Sequence, residues 1–440
     1  MKKFELEVTE ENILKTLERD VLNRSKDIYN FTNILENIDG NISIALDGAW
    51  GSGKTFFVKQ LQILFDFYCQ KFADSPINQR TEKIIANNEY LNQISITKSY
   101  KTVYYNAWLY DDHINPIMSL ISSIINDTGL SHMAKKDSNI ENNLKLLAKS
   151  ILSFTKLPSG IGNIVDINNS NSIIDDILMI ENVKDILSKI FNEIIVEQSD
   201  KLIVFIDELD RCNPSYAVSL LEKTKHFFKD DRVIFVYSTN KAQLVHTINR
   251  HYGNNFDASG YLNKFFDLSL KLSDVDIANY IESLNSIQND SYYFNELVFD
   301  LSKYYNFSMR DCNRYIQVMS QFEKRLQNVG QSAFMNDMLL VLLIPIVYAL
   351  RIVDANKSSL FEKGQGTEEL EILMSSLPYF MDSVKAALRN LFNKTHEYTN
   401  EEVKDKFISI YIELFKDTDS GTLMREKRAL KSMIGILPQF

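Results

Sequence analysis

The stretch GAWGSGKT, residues 48–55, carries residue types at a spacing that could hold a chain of phosphates. Gly48, Gly53, Lys54 and Thr55 satisfy the pattern G-x-x-x-x-G-K-[ST]. In such a loop the backbone N–H groups wrap a β-phosphate, and the following helix adds the positive end of its dipole. We expect Lys54 to reach the β- and γ-phosphate oxygens and Thr55 to ligate Mg²⁺. The predicted nucleotide contacts are Gly48, Ala49, Trp50, Gly51, Ser52, Gly53, Lys54, Thr55 and Phe56.

A pair of carboxylates follows the apolar run in LIVFIDELDR, residues 202–211. Such a run is typical of a central parallel strand, and ligands of open α/β sheets bind at the carboxyl ends of the strands. We expect Asp207 to hold the Mg²⁺ shell and Glu208 to polarise an attacking water as a general base. The alternative is that Asp207, Glu208 and Asp210 form an acidic helix N-terminus or pair with Arg211. That alternative would account for Asp210 but explains an adjacent acidic pair at the end of a buried strand poorly.

A third polar group ends the next apolar run, VYSTN, residues 236–240. Asn240 is predicted to orient the water or to contact the γ-phosphate, the alternative being a simple turn-forming asparagine. The letters NKAQ that begin there resemble the guanine signature N-K-x-D. Because Gln243 stands where that signature needs an acid, we expect ATP to be preferred over GTP.

Strand and helix patterns alternate around these residues, which predicts a three-layer α/β domain. A helix is expected to follow the loop from Lys54, and another at 214–228, where Asn213 can cap and Pro214 occupies the first turn. The predicted strands are NISIALD at 41–47, KTVYYNA at 101–107, KLIVFID at 201–207, RVIFVYS at 232–238 and FFDLSL at 265–270.

The rest of the chain is predicted to be helical. A helical insert at about 110–200 interrupts the core, and its polar run at 157–176 is loop-like. We divide the chain into an NTPase core at 1–274, a helical lid at 275–328 and an all-α C-terminal region at 329–440. The run at 338–350 is apolar but too short to span a bilayer, and Pro345 should kink it, so it is expected to be a buried core or interface helix.

Composition excludes several classes of protein. The 440 residues carry a net charge of -10, so a broadly basic nucleic-acid surface is not indicated. The three cysteines fit neither zinc spacing nor a disulfide framework, and the start of the chain has no secretory signal pattern. We therefore expect reduced thiols in a cytoplasmic protein without a membrane span.

The motifs together resemble the KAP family of P-loop NTPases, a branch close to the AAA+ and STAND ATPases. The resemblance runs through residues 20–325, and both tryptophans of the chain lie in it. The segments that carry it are AWGSGKT, YYNAWLY, FIDELDRCNPSYAVSLLEKTKHFF, VIFVYSTNKAQLVHTI and GYLNKFFDLSL. We expect Trp50 and Trp108 to be large apolar anchors packed beside the loop.

The resemblance implies an additional-strand sheet, with one strand between those that carry the loop and the acidic pair. It also implies ATP hydrolysis coupled to conformational change, often in assemblies, with roles in membrane signalling and bacteriophage exclusion. Many members carry transmembrane helices between the two motifs, whereas the apolar cluster of this insert, residues 144–154, is short and interrupted by lysine.

Charges that sense the γ-phosphate are also implied by the resemblance. Arg310, with Arg314 on the same helix face behind a capping-box-like Ser308 and Asp311, lies at a position that resembles a lid sensor. The alternative is ordinary surface pairs with Asp311 or Glu323. A neighbouring subunit of a homo-oligomer could supply a further charge. The residues considered for that role are Arg211, Arg250 and Lys264, and Leu22, Asn23 and Arg24 lie where the family has a segment near the adenine.

Two other functions remain open at this point. One is an ATP-binding scaffold or regulatory module with little turnover, against which Glu208 argues. The other is an ATP-dependent phosphotransferase, which would need an arginine-rich lid, although the stretch 109–200 contains no arginine. We expect an Mg²⁺-dependent ATPase that acts on a partner protein effector or on its own oligomer.

Overall fold

The computed structural model divides into two compact units, Val8–Asp274 and a second that contains Val275–Phe440. The first unit has a sheet between layers of helices, and the second is helical in its described residues. The structure describes residues 7–20, 22–69, 75–113, 115–130, 142–143, 145–146, 184–192, 199–273, 280–281, 292–327, 334–392, 397–416 and 424–438.

The sheet of the first unit contains five parallel strands. In chain order they are β1 (Ile42–Asp47), β2 (Tyr100–Asn106), β3 (Lys201–Asp207), β4 (Val233–Thr239) and β5 (Leu268–Lys271). Their order across the sheet is β2-β3-β4-β1-β5. β4 thus lies between β1, which leads into the glycine loop, and β3, which carries the acidic pair. The additional-strand sheet is therefore confirmed.

Helices cover both faces of this sheet. One face packs against α1 (Glu10–Glu18), α2 (Ser25–Glu36), α3 (Lys54–Cys69) and α4 (Pro76–Asn87). The opposite face packs against α5 (Pro116–Asp127), α6 (Pro214–Phe227), α7 (Lys241–Tyr252) and α8 (Ala258–Leu262). The predicted three-layer α/β architecture is confirmed.

Strand β3 shows how one apolar run serves both layers. Because successive side chains point to opposite faces, Ile203 and Phe205 join the core under α1–α4, while Val204 and Ile206 join the core under α5–α8. Every residue of β3 and of β4 is buried. This burial on both faces explains why their sequences are continuous apolar runs rather than alternating ones.

The start of α6 follows from its sequence. The side chain of Asn213 accepts a hydrogen bond from the backbone N–H of Ser215 at 3.1 Å, and Pro214 occupies the first turn, where its missing N–H costs nothing. The predicted helix at 214–228 is confirmed. It carries the chain from the acidic turn that follows β3, Glu208–Arg211, back to the start of β4.

Cys69, Cys212 and Cys312 form no disulfide with one another. Cys212 and Cys312 are buried, and burial raises the pKa of the Cys312 thiol to about 12. Burial also raises the pKa of Cys212. Both groups are therefore protonated thiols at neutral pH and poor nucleophiles.

The predicted helical insert at about 110–200 falls largely outside the described residues. Within it, α5 and residues 184–192 are helical and contribute buried side chains to the core under α5–α8. The loop-like run at 157–176 lies outside the described residues altogether, as does most of the apolar cluster at 144–154.

The described part of the second unit consists of helices. They are α9 (Tyr292–Tyr304), α10 (Met309–Gln327), α11 (Phe334–Val353), α12 (Ala355–Phe361), α13 (Thr367–Ser376), α14 (Pro378–Leu391), α15 (Asn400–Phe415) and α16 (Met424–Ile436). Its division into a lid and a C-terminal domain stays a prediction.

Helix α11 contains the apolar run at 338–350. The helix continues through Pro345, and its residues from Leu342 to Leu350 are buried. Its neighbours in the second unit include α9, α12, α14 and α16. The predicted buried helix is confirmed. Among the described helices, none combines the length and apolar character that crossing a bilayer requires.

Candidate nucleotide and metal site

The glycine loop connects β1 to α3, and two of its glycines have backbone angles that other residues rarely adopt. Gly51 and Gly53 have positive φ angles of 75° and 84°. A Cβ at Gly48 would lie 2.8 Å from the Ser52 hydroxyl oxygen, so a side chain there would force Ser52 to move. The three glycines therefore set the course of the loop, and α3 begins at the residue after it.

Lys54 is the first residue of α3, and its side chain folds back over the loop. The Nζ atom donates hydrogen bonds to the carbonyl oxygens of Gly48 at 2.7 Å and Ala49 at 3.0 Å. Burial lowers the pKa of Lys54, and the carboxylates of Asp210 and Asp207 oppose that shift. The ammonium group is thus presented at the mouth of the loop, where a phosphate would lie.

Thr55 and Asp207 meet across the sheet edge as the motif spacing predicts. The Thr55 hydroxyl donates to Oδ2 of Asp207 at 2.7 Å, although 152 residues separate them. The other carboxylate oxygen, Oδ1, accepts the backbone N–H of Glu208 at 3.0 Å. These contacts hold the Asp207 carboxylate beside the first turn of α3, where the phosphate-binding loop ends.

The Thr55–Asp207 pair suits Mg²⁺ chemically. Mg²⁺ prefers oxygen ligands and is usually bound by one or two side chains together with phosphates and waters. The threonine hydroxyl donates its hydrogen to Asp207 and keeps lone pairs for a cation. In the described residues no cluster of three or more His, Cys, Asp or Glu could hold a metal by itself. A cation here would take its further ligands from waters and from the phosphates of a nucleotide.

Glu208 follows Asp207 in an unusual backbone conformation. Its φ and ψ angles are 62° and 24°, the left-handed region that a residue other than glycine rarely occupies. Its carboxylate forms an ion pair with Nε of Arg211, three residues later. Burial raises the pKa of Glu208 and the charge of Asp207 raises it further, whereas Arg211 lowers it. A carboxylate with a raised pKa is a stronger base at neutral pH.

Arg211 also contacts one of the two tryptophans. Its guanidinium carbon lies 5.4 Å from the ring centre of Trp108, within the range of a cation–π interaction. Trp108 is 51% exposed and Trp50 is 47% exposed. The prediction that both are packed apolar anchors is therefore wrong. Both rings are exposed at the surface. The indole N–H of Trp50 is hydrogen-bonded to Asp210, and the ring of Trp108 contacts the Arg211 guanidinium.

Asp210 is a site residue that the sequence reasoning did not select. Its carboxylate accepts the indole N–H of Trp50 at 2.5 Å and the hydroxyl of Thr239 at 2.9 Å. It therefore ties the glycine loop to the end of β4. Of the three acidic residues, Glu208 is the one that pairs with Arg211, so the alternative of a pair with Arg211 holds for that residue. Its burial explains these contacts, because a buried carboxylate needs hydrogen-bond donors, and that burial follows from the sheet order rather than from the sequence.

Asn240 lies at the same sheet edge, directly after β4. Its side-chain oxygen accepts the backbone N–H of Gln243 at 3.2 Å and so caps α7. The carbonyl oxygen of the residue before it, Thr239, accepts the backbone N–H of Gly48 at 3.2 Å. This cap agrees with the alternative of a turn-forming asparagine. Because the side-chain oxygen is used in the cap, a contact with water or phosphate would be made by the side-chain amide nitrogen. That contact stays a prediction.

Arg24 is buried against the glycine loop. The side chain is 2% exposed, and its guanidinium donates to the Ser52 carbonyl at 3.1 Å and to the Ser273 carbonyl at 2.5 Å. It also forms an ion pair with Asp27 at 2.7 Å. Arg24 therefore joins the loop to Ser273, two residues after the end of β5. Leu22 and Asn23 precede it, and their predicted place beside an adenine stays a prediction.

The remaining predicted charges belong to other elements of the chain. Arg250 is exposed in the last turn of α7, and the backbone carbonyl of Lys264 accepts a bond from Lys225. Arg310 lies in the first turn of α10, where Ser308 donates to Asp311 at 2.6 Å and the Asp311 N–H returns a bond at 3.3 Å. The expected cap is thus present, and the sensor role of Arg310 stays a prediction.

The parallel sheet with its glycine loop, loop lysine and paired threonine and aspartate defines a P-loop NTPase. The family model described as the KAP family P-loop domain matches residues 24–335, well over half of the chain. The protein belongs to that family. No curated protein matches the chain.

Proposed function

We propose that this protein binds and hydrolyses ATP with Mg²⁺ and uses the reaction as a conformational switch. The observation that carries the proposal is the Thr55 hydroxyl bound to Asp207 at 2.7 Å, with Glu208 in the next position. A cation ligand and a base of raised pKa thus lie together beside a loop that can wrap phosphates.

Each residue has a distinct task in this proposal. The loop N–H groups and Lys54 bind the phosphates, and Thr55 and Asp207 hold the cation. Bound Mg²⁺ would neutralise charge on the phosphate oxygens. Glu208 accepts a proton from the attacking water, and Asn240 orients that water through its amide group. Arg310 is proposed to sense the γ-phosphate.

Two substitutions separate binding from turnover. Lys54→Ala should abolish Mg-ATP binding, because it removes the positive charge that the loop presents to the phosphates. Glu208→Gln should keep binding but lower phosphate release by about 10²–10⁴-fold, the usual contribution of a general base. Calorimetric titration and a phosphate-release assay measure the two quantities. Full turnover by Glu208→Gln would remove that residue from the mechanism.

Matched controls come from α4, whose exposed Glu82 and Lys83 lie away from the loop. Glu82→Gln and Lys83→Ala should leave both quantities unchanged.

Competition between ATP and GTP tests the nucleotide preference, and GTP binding as tight as ATP binding would contradict the argument from Gln243. A wild type that binds ATP without any turnover would favour the scaffold alternative. Transfer of phosphate to an added acceptor would favour the phosphotransferase.

The purpose of the switch rests on the family. We propose a role in antiphage defence, in which the nucleotide state controls a partner protein effector or a homo-oligomer. The contacts of Arg24 support a switch, because they join Ser52 of the loop to Ser273 after β5. A change in the loop on nucleotide binding would therefore reach the end of the sheet.

A further inference from the structure

Tyr104 lies on β2 and contacts the Asp207 carboxylate from the neighbouring strand. Its hydroxyl donates to Oδ2 at 3.0 Å, the same oxygen that accepts the Thr55 hydroxyl. Parallel pairing places Tyr104 opposite Phe205, two residues before Asp207. The side chain is long enough to span that distance along the sheet. No part of the loop or acidic motif includes this residue.

Lys59 fixes the ring of Tyr104 from the side of α3. Its Nζ lies 3.4 Å from the ring centre, and it donates to the side-chain oxygen of Gln62 at 2.8 Å. Burial lowers the pKa of Lys59 to about 8, and the charges of Asp127, Asp207 and Asp66 oppose the shift. A cation over the face of a phenol ring is attracted to it, so Lys59 holds the ring in place.

The Asp207 carboxylate is consequently locked by three donors. Two hydroxyls bind Oδ2 and the Glu208 N–H binds Oδ1, so the carboxylate cannot rotate without breaking a charge-assisted hydrogen bond. Partners that orient a metal ligand usually matter for metal affinity almost as much as the ligand itself. The Tyr104 hydroxyl has the single hydrogen needed for this and directs it at Asp207.

We propose that Tyr104 is a positioning residue for the magnesium site, holding Asp207 in the orientation that the cation requires, with Lys59 holding Tyr104. This inference rests on the proposed function. It assigns to β2 a role in cation binding, and it predicts different effects on the response to Mg²⁺ and on binding of the nucleotide without metal. Loss of the Tyr104 hydroxyl should weaken the response to Mg²⁺ and leave binding of the metal-free nucleotide intact.

The test is Tyr104→Phe in the full chain, with nucleotide affinity measured in EDTA and then across a Mg²⁺ titration. We expect unchanged affinity in EDTA and a rise of about tenfold or more in the Mg²⁺ concentration at half effect, since losing such a partner commonly costs 10–100-fold. The control is Tyr105→Phe, on the opposite face of β2, which should leave the Mg²⁺ response in place. That hydroxyl binds Ser119 at 2.7 Å and also Tyr216, so its loss also removes buried hydrogen bonds.

The outcomes separate the inference from the function on which it rests. A wild type without any Mg²⁺ effect on nucleotide affinity would overturn both. A wild type that responds to Mg²⁺, with Tyr104→Phe responding at the same concentration, would overturn the role of Tyr104 alone. Lys59→Met gives a second, independent variant if Tyr104→Phe fails to fold. It should shift the Mg²⁺ response in the same direction by a smaller factor, and an unshifted response would contradict the proposal.

Discussion

Glu208 is subject to opposing influences that decide whether it can act as a base. Burial and the neighbouring charge of Asp207 raise its pKa, and the ion pair with Arg211 lowers it. The left-handed backbone at Glu208 begins the short turn Leu209–Arg211, which returns the Arg211 side chain to the Glu208 carboxylate. The reactivity of this residue therefore depends on a pair formed locally, three positions apart.

Arg211→Met should move the acid limb of the turnover profile to higher pH. Only the ionised carboxylate can accept a proton, so the rate falls as the pH drops through the pKa of Glu208. Removing Arg211 takes away an influence that lowers this pKa. Turnover measured at saturating Mg-ATP from acid to neutral pH gives the pH at which the rate falls to half of its plateau. Arg80→Met, which breaks a surface pair with Glu11 and Glu18, is the control and should leave it in place.

The residues of the loop and the acidic pair could be predicted from the sequence, but the contacts of Tyr104 and Asp210 could not. The loop spacing gives Lys54 and Thr55 their places, and the end of an apolar run places Asp207 at the same edge of the sheet. Tyr104 and Asp210 take their roles from strand order and from which face each side chain occupies. A hydroxyl on β2 has meaning only once β2 is known to lie beside β3. One sequence without the sheet order carries no signal for that.

At the scale of elements, burial on both faces made the strands predictable. The apolar runs that become β3 and β4 match the observed strands to within one residue. The last strand differs, because the prediction began at Phe265 whereas β5 begins at Leu268. Phe265 and Phe266 are buried beside α8 in the core under α5–α8. Apolar character marked them as buried, and periodicity could not distinguish a turn from a strand.

Helix α11 offers a test of burial within one element. Leu342 is 1% exposed, and Val353 at the end of the same helix is 47% exposed. Leu342→Asp should destabilise the protein by about 4 kcal/mol or more, because an unpaired carboxylate would be buried in an apolar core. Val353→Asp should cost within about 0.5 kcal/mol, as surface changes usually do.

Urea unfolding followed by circular dichroism gives the free energy of unfolding for each variant. The same charge is added in both, so their difference isolates burial from the change in net charge. Equal stabilities of the Leu342 and Val353 variants would show that the two positions are equally accessible in solution. The comparison also tests whether α11 organises the helices packed around it.

At the scale of the whole molecule, three large apolar side chains are exposed in the loop and after β2, close to the candidate nucleotide site. Trp50, Trp108 and Leu109 are exposed near the loop and the acidic turn, and Leu109 is 73% exposed. Exposed apolar residues grouped beside a site are typical of protein–protein contact. Arg211 already pairs with Glu208 of its own chain, so it is a poor donor of charge to a neighbour. Arg250, exposed at the end of α7, is the better choice.

We therefore expect ATP to promote homo-oligomers in which Arg250 of one subunit completes the site of the next. Sedimentation with and without a non-hydrolysable ATP analogue measures the association, and specific activity should rise with protein concentration. A monomer under both conditions, with turnover independent of concentration, would contradict this expectation. An arginine supplied in trans can contribute about 10³–10⁵ in rate. Arg250→Ala should accordingly bind ATP normally and lose most of its turnover.

Mixing two inactive variants tests whether Arg250 acts between subunits. Glu208→Gln keeps Arg250, and Arg250→Ala keeps Glu208, so a mixed oligomer contains sites that combine an intact base with an intact arginine from the neighbour. With random head-to-tail assembly of equal amounts, about a quarter of the sites would be complete. Turnover should reappear on mixing and be absent from each variant alone. If Arg250 acts within its own chain, no mixed site is repaired, and the mixture stays as inactive as its components.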